Sequence, residues 1–385
     1  MSEPASPLAR RADIDWIRVA AFGILILYHV GLVYAPWDWH VHSPHTFEWL
    51  RYAALVTNPW RLTLLFLVSG VALRFMSRRR SAGQVLRARA ERLLPPFLFG
   101  VLVLVPPQSF TEAMEKGWWD GSFVGWWLHE FSPAGFADGI PLNHLWFVEY
   151  IMVYSLAAVL LLASPRLVEA LQAAFEWVIR GPQLMLAPIA YLAVTRQLMF
   201  AHLGITNHLD GDWYNHAMSF GVFLMGFAIA PSEKAWAELE RWRWPALAVA
   251  VLALPALIWL EAHPAGLALA GLPKNLAFAI DQWATICAVL GFASRHIRGA
   301  EGPVLRYLTD AVFPCYLAHQ TILVIAAHHL KPLDLPSGTE AALLVSITLG
   351  GSLLVYEIVR RIGLIRPLWG LKPRVRGTPA AAKTA

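Results

Sequence analysis

Ten apolar runs, set apart by charged or aromatic-rich connections, make up most of the chain: residues 16–36, 59–76, 92–107, 144–163, 184–202, 214–231, 244–262, 275–294, 311–329 and 340–361. Each is about 16 to 22 residues long, close to the helix length needed to cross a hydrocarbon core about 30 Å thick. The fifth is the least regular, because Pro188 and Arg196 interrupt it. The pattern predicts an all-α, polytopic membrane protein with about ten transmembrane helices, which puts both termini on one side.

The first run also holds the clearest chemistry. Arg18 opens it and His29 follows eleven residues later, with almost nothing polar between them. Eleven residues at about 100° each return to within roughly 20° of the starting direction, so the two side chains share one helix face about 16 Å apart. A histidine at membrane depth is costly without a partner, which makes it a functional candidate.

Charge orients the bundle. Alternate connections carry 24 of the 31 Lys and Arg residues, including Arg74, Arg78, Arg79, Arg80, Arg87, Arg89 and Arg92 in a single connection. By the positive-inside rule these connections and both termini are cytoplasmic. The net charge of +5 is then a topology signal and not a nucleic-acid footprint. Composition agrees with a membrane protein, at 57% hydrophobic and 15% charged residues. The polar opening segment and the length of the first run predict no removable signal peptide. The expected organisation is a cytoplasmic N-terminal segment over 1–15, a membrane domain over 16–361 and a cytoplasmic tail over 362–385.

The outward connections are rich in aromatic residues. Trp37, Trp39, His40, His42 and His45 lie between the first two runs, and Trp118, Trp119, Trp126, Trp127 and His129 lie between the third and fourth. Two readings stay open: an interfacial aromatic belt, or a sugar-binding surface in which indoles pack on pyranose faces. Residues 116–131 are expected to include a short helix in the outer interface. Cys287 and Cys315 fall inside apolar runs as packing residues, and no metal-ligand spacing or phosphate-binding loop is present in the sequence. The remaining polar groups at depth are His144, Glu149 and His319, while Arg89 and Arg92, at i and i+3, can present two guanidiniums to one anion.

These residues carry a resemblance. Asp15-x-x-Arg18 followed by ten residues and His29, Phe66-Leu67-Val68-Ser69-Gly70, Arg89-Ala90-Glu91-Arg92, His144-Leu145-Trp146-Phe147 and Tyr316-Leu317-Ala318-His319 occur in order along the chain. Together they resemble the acyltransferase 3 family of ten-span membrane acyltransferases. Within that family, His29-x-x-Leu32-x-Tyr34 followed by Trp39-His40-Val41-x-Ser43 is similar to the branch assigned to succinylation of osmoregulated periplasmic glucans.

The resemblance implies acyl transfer from a cytoplasmic acyl-CoA, succinyl-CoA or acetyl-CoA, to a hydroxyl of a periplasmic glucan or other envelope glycan, at the bacterial inner membrane. It implies essential roles for Arg18, His29, Arg89 and Arg92. The 24 residues after Arg361 leave no room for a further hydrolase domain, so direct transfer by one enzyme is the expectation. On chemical grounds His29 is the candidate general base and Arg18, Arg89 and Arg92 are the candidate CoA-phosphate partners. Ser69, His144 and Trp146 are candidate oxyanion donors, with His319, Trp39 and His40 as further substrate contacts. No resident metal or bound cofactor is expected. A secondary transporter of a small anion, a noncatalytic scaffold, and an acetyltransferase acting on another envelope polysaccharide are the alternatives.

Overall fold

The computed structural model describes residues 11–263 and 271–373. Residues 1–10 of the expected N-terminal segment and residues 374–385 of the expected tail lie outside the described residues. Among the described residues the chain is helical throughout, without a strand. The main helices are α1 (Ala12–Val33), α2 (Arg61–Ser77), α3 (Ala82–Phe99), α4 (Pro106–Glu115), α5 (Phe123–Glu130), α6 (Trp146–Leu162), α7 (Gln183–Thr195), α8 (Trp213–Ile229), α9 (Glu233–Ala262), α10 (Gly271–Ile297), α11 (Pro303–Leu330) and α12 (Ser337–Val359).

Every apolar run of the sequence falls on helix. Eight helical stretches among the described residues are long and apolar enough to cross a membrane: 12–33, 82–115, 143–162, 183–203, 233–262, 271–297, 303–333 and 337–359. The chain is therefore a multi-pass membrane protein. The other two runs form α2 and α8, each of 17 residues. Such helices are only about 26 Å long.

The two short helices pack on one another in the interior, and glycine is the reason they can. A Cβ on Gly70 of α2 would stand 1.9 Å from the Phe223 carbonyl oxygen, and one on Gly226 of α8 would stand 1.9 Å from the Leu67 carbonyl oxygen. Each backbone thus fills the space that a side chain on the other would need, the close approach that small residues give membrane helices. Phe66, Leu67, Phe223 and Phe227 close over the contact and are buried. Gly226→Ala should force the pair apart and lower stability by at least about 1–3 kcal/mol. The thermal unfolding midpoint in detergent checks this, and an unchanged midpoint would contradict the close packing.

The third run begins earlier than its hydropathy suggests. Ser81 and Gln84 form a capping box: Ser81 Oγ accepts from the Gln84 N–H and Gln84 Oε1 accepts from the Ser81 N–H, so helix starts at Ala82. The stretch then passes Pro95 and Pro96, widens into a π-turn over Gly100–Leu104 and resumes as α4. Broken backbone at membrane depth requires side-chain partners. Leu104 O accepts from Gln108 Nε2 at 3.2 Å and from Thr321 Oγ1 at 2.7 Å, and Leu102 O accepts from Trp127 Nε1 at 2.9 Å. In the fifth run, Arg196 is buried between the rings of Phe200 and Phe278 and donates to Asn275 Oδ1 at 3.0 Å and Tyr214 Oη at 3.1 Å. That environment explains how a cation is accommodated there.

Candidate active site

Between α1, α2, the segment around Asn143–Phe147 and α11 lies a chamber of about 470 Å³. Its wall includes Arg18, His29, Trp39, His40, Arg61, Ser69, His144, Trp146, Tyr316 and Gln320. Arg18 and His29 thus open into one space from the same face of α1. Arg18 pairs with Asp15, 3.8 Å away and one turn earlier.

His29 belongs to a chain of rings. Its Nδ1 lies 3.0 Å from His319 Nε2, and His319 Nδ1 lies 2.6 Å from the Tyr316 carbonyl oxygen. A carbonyl only accepts, so His319 Nδ1 carries the proton and, in the neutral ring, Nε2 is a lone pair. That lone pair accepts a hydrogen bond from His29 Nδ1–H. With both rings neutral, His29 Nε2 is then a bare lone pair with no protein partner among the described residues. The two rings meet edge to edge with planes 23° apart and centroids 5.1 Å apart, as an in-plane N–H···N bond requires. His319 itself is fully buried, edge-on to Phe22 and His144. It does not itself line the chamber and lies behind His29, His144 and Phe22, which do.

The His29 ring also stacks on Trp39, with centroids 5.7 Å apart and planes 17° apart. Trp39 arrives because the connection after α1 folds back inward: Ser43 N–H donates to Val33 O, and Ser43 Oγ donates to Glu340 Oε2 at 2.6 Å. The Trp39 indole N–H is buried and has no acceptor among the described residues. Beside it His40 bonds Glu112 through Nδ1, and Gln320 Nε2 donates to its Nε2 at 2.9 Å. Lys116 completes this cluster by pairing with Glu112 at 2.6 Å and Asp38 at 2.9 Å.

The remaining expected residues differ in placement. His144 lines the chamber, but its Nε2–H donates to the Leu317 carbonyl at 3.2 Å, which leaves Nδ1 as an unpartnered acceptor and not as an oxyanion donor. Ser69 Oγ donates to Leu65 O at 2.8 Å within α2. Trp146 presents its ring to the chamber. Arg89 and Arg92 stand outside the lining: Arg89 is partly buried with Nη2 3.5 Å from the Ser69 carbonyl oxygen, and Arg92 is exposed. Glu149 is also outside it.

The aromatic-rich stretch before α6 does contain a short helix, α5. Its Trp126 and Trp127 N–H groups are occupied by Ser109 Oγ and Leu102 O, and none of its tryptophans lines the chamber. Trp118 stands largely exposed.

Arg61, Tyr28, Asn58, Asn143 and Tyr316 also line the chamber, although the motifs did not single them out as site residues. For Arg61 a signal existed. It is one of the seven Lys and Arg residues that fall outside the connections in which the other 24 concentrate.

No solved structure matches the chain. Glucans biosynthesis protein C of Escherichia coli O139:H28 (strain E24377A / ETEC) is 22% identical over 385 residues, covering 96% of this chain and 97% of the relative. The protein of the same name from Escherichia coli K12 matches to the same extent. The family profile described as an acyltransferase domain matches residues 11–357, so this multi-pass membrane chain, with Arg18, His29 and His144 opening into one chamber, belongs to the acyltransferase 3 family.

Proposed function

We propose that the chain moves an acyl group from cytoplasmic acyl-CoA to a hydroxyl of an extracytoplasmic glucan or related envelope glycan, with His29 as general base. The observation that carries this reading is the bare His29 Nε2, held by the His319 and Tyr316 bonds in a chamber that Arg18 also enters. The names of the relatives support a glucan as acceptor. Succinyl is the favoured acyl group, and acetyl is the substitute.

In this mechanism Arg18, with Arg89 and Arg92 at the inner end, holds the CoA phosphates. The thioester lies beside His29. A sugar hydroxyl attacks the thioester carbon while Nε2 takes its proton, and a C–O bond forms as the carbonyl becomes an oxyanion. We assign the Trp39 N–H to that oxyanion, because it is a buried donor without a protein acceptor next to the base. Collapse breaks the C–S bond, and the imidazolium returns the proton to the departing thiolate, giving ester and free CoA. Indole faces of Trp39 and Trp146 suit the apolar face of the sugar.

The topology that fits is ten crossings with both ends in the cytoplasm of a bacterial inner membrane, α2 and α8 being the two short spans.

The test is purified protein in vesicles with acyl-CoA and a glucan acceptor, followed by mass analysis of the glycan. Gain of one acyl group with release of CoA supports the reading. Solute transport without consumption of acyl-CoA would replace it with a transporter. Arg89→Ala should raise KM for acyl-CoA about tenfold, as expected for loss of one charged hydrogen bond. An unchanged KM would limit Arg89 to a topological role.

A further inference from the structure

We infer that Arg61 selects the acyl group by pairing with a carboxylate at its far end. This rests on the acyl-CoA reading above and adds a specificity residue to it. Arg61 is the first residue of α2 and is only 2% exposed, yet it lines the chamber. Its guanidinium stacks on the Tyr28 ring at 3.6 Å, and Tyr28 immediately precedes His29. Its Nη1 donates to Thr57 Oγ1 at 3.3 Å, and its Nε is buried without any partner. Among the described residues no carboxylate stands within ion-pair distance of it. A buried guanidinium without a counter-ion is costly, and such residues are kept where an anion arrives.

Its position sharpens the argument. A cation in the first turn of a helix opposes the helix dipole, so Arg61 and the α2 N-terminus add their positive potentials at one place. The CoA phosphates do not reach it in the proposed mode. They sit at the inner end, and Ser69, whose carbonyl takes Arg89, lies eight residues or about 12 Å further along α2. The acceptor offers a neutral hydroxyl. The acyl group is the reactant left to bring a negative charge, and a four-carbon dicarboxylic acyl chain spans about 4 Å from thioester carbon to carboxylate carbon. Tyr28 then serves as the platform that holds the guanidinium flat for a bidentate pair.

The experiment compares succinyl-CoA with butyryl-CoA, its neutral counterpart of equal chain length, on one neutral glucan acceptor. Wild-type protein should show a kcat/KM for succinyl-CoA well above that for butyryl-CoA. In Arg61→Met the ratio of the two values should fall roughly 10- to 100-fold, the effect of losing a charged hydrogen-bonded pair. Arg61→Lys should keep part of the preference. A ratio cancels any loss of folded protein, since both donors are read on one preparation. A ratio unchanged in Arg61→Met would overturn the assignment, and so would wild-type protein that favours butyryl-CoA. With an anionic glucan as a second acceptor, an Arg61→Met effect that follows the charge of the acceptor and not of the donor assigns the anion to the acceptor, and the proposal fails. Wild-type protein that uses neither thioester would instead remove the acyl-CoA reading itself.

Discussion

Replacing His29 with alanine should lower acyl transfer by about 10²–10⁴-fold, the contribution typical of a positioned general base. The reasoning is local. Nε2 faces the chamber bare because Nδ1 is committed to His319, and no other imidazole of the chamber has the same freedom. His144 donates its Nε2–H to Leu317, and its Nδ1 is buried. His40 has both nitrogens engaged by Glu112 and Gln320. The loss should fall on kcat, with acyl-CoA binding retained, because Arg18, the proposed phosphate partner in the chamber, lies about 16 Å from His29 along α1. Acidification should also slow the wild-type enzyme as its base is protonated, and the residual rate of His29→Ala should lack that limb. Full activity in the variant would rule out base catalysis at this position, and loss of acyl-CoA binding with activity would point to a structural role.

How far these features were legible in the sequence depends on how far apart their parts lie in it. The pairing of Arg18 with His29 needs only one helix and its periodicity, so it was readable. Hydropathy alone places the third run's start ten residues after Ala82, where the Ser81–Gln84 capping box sets it. His319 meets His29 across 290 residues, and no local pattern encodes that contact. The close approach of Gly70 to α8 is of the same kind, since a glycine in an apolar run does not say which backbone it will touch. Charge was legible in sign but not in use. Arg89 and Arg92 share a face by spacing, yet one turns toward the Ser69 carbonyl and the other toward the surface. Arg61 carries no motif, and only its burial beside the chamber distinguishes it.

His319 should prove the most sensitive residue that does not itself line the chamber. It fixes the His29 tautomer by accepting at Nε2, and its own orientation is fixed by Nδ1–H donating to Tyr316 O. Without that acceptor, His29 is free to place its proton on either nitrogen and to swing from the stacked position beside Trp39. The expected cost is about 10²-fold or more in kcat, as for other bases deprived of their orienting partner. Two substitutions separate orientation from packing, since His319 also fills space against Phe22 and His144. His319→Leu fills much of that volume but can neither donate nor accept. His319→Gln can donate to Tyr316 O through its amide N–H and accept from His29 through its carbonyl. Activity should therefore be recovered in part by Gln and not by Leu, with KM for acyl-CoA close to wild type in both and the pH profile displaced in His319→Leu. Equal loss in the two variants, with unaltered pH profiles, would mean that His319 serves the packing of α1 on α11 and leaves the proton on His29 to be directed by something else.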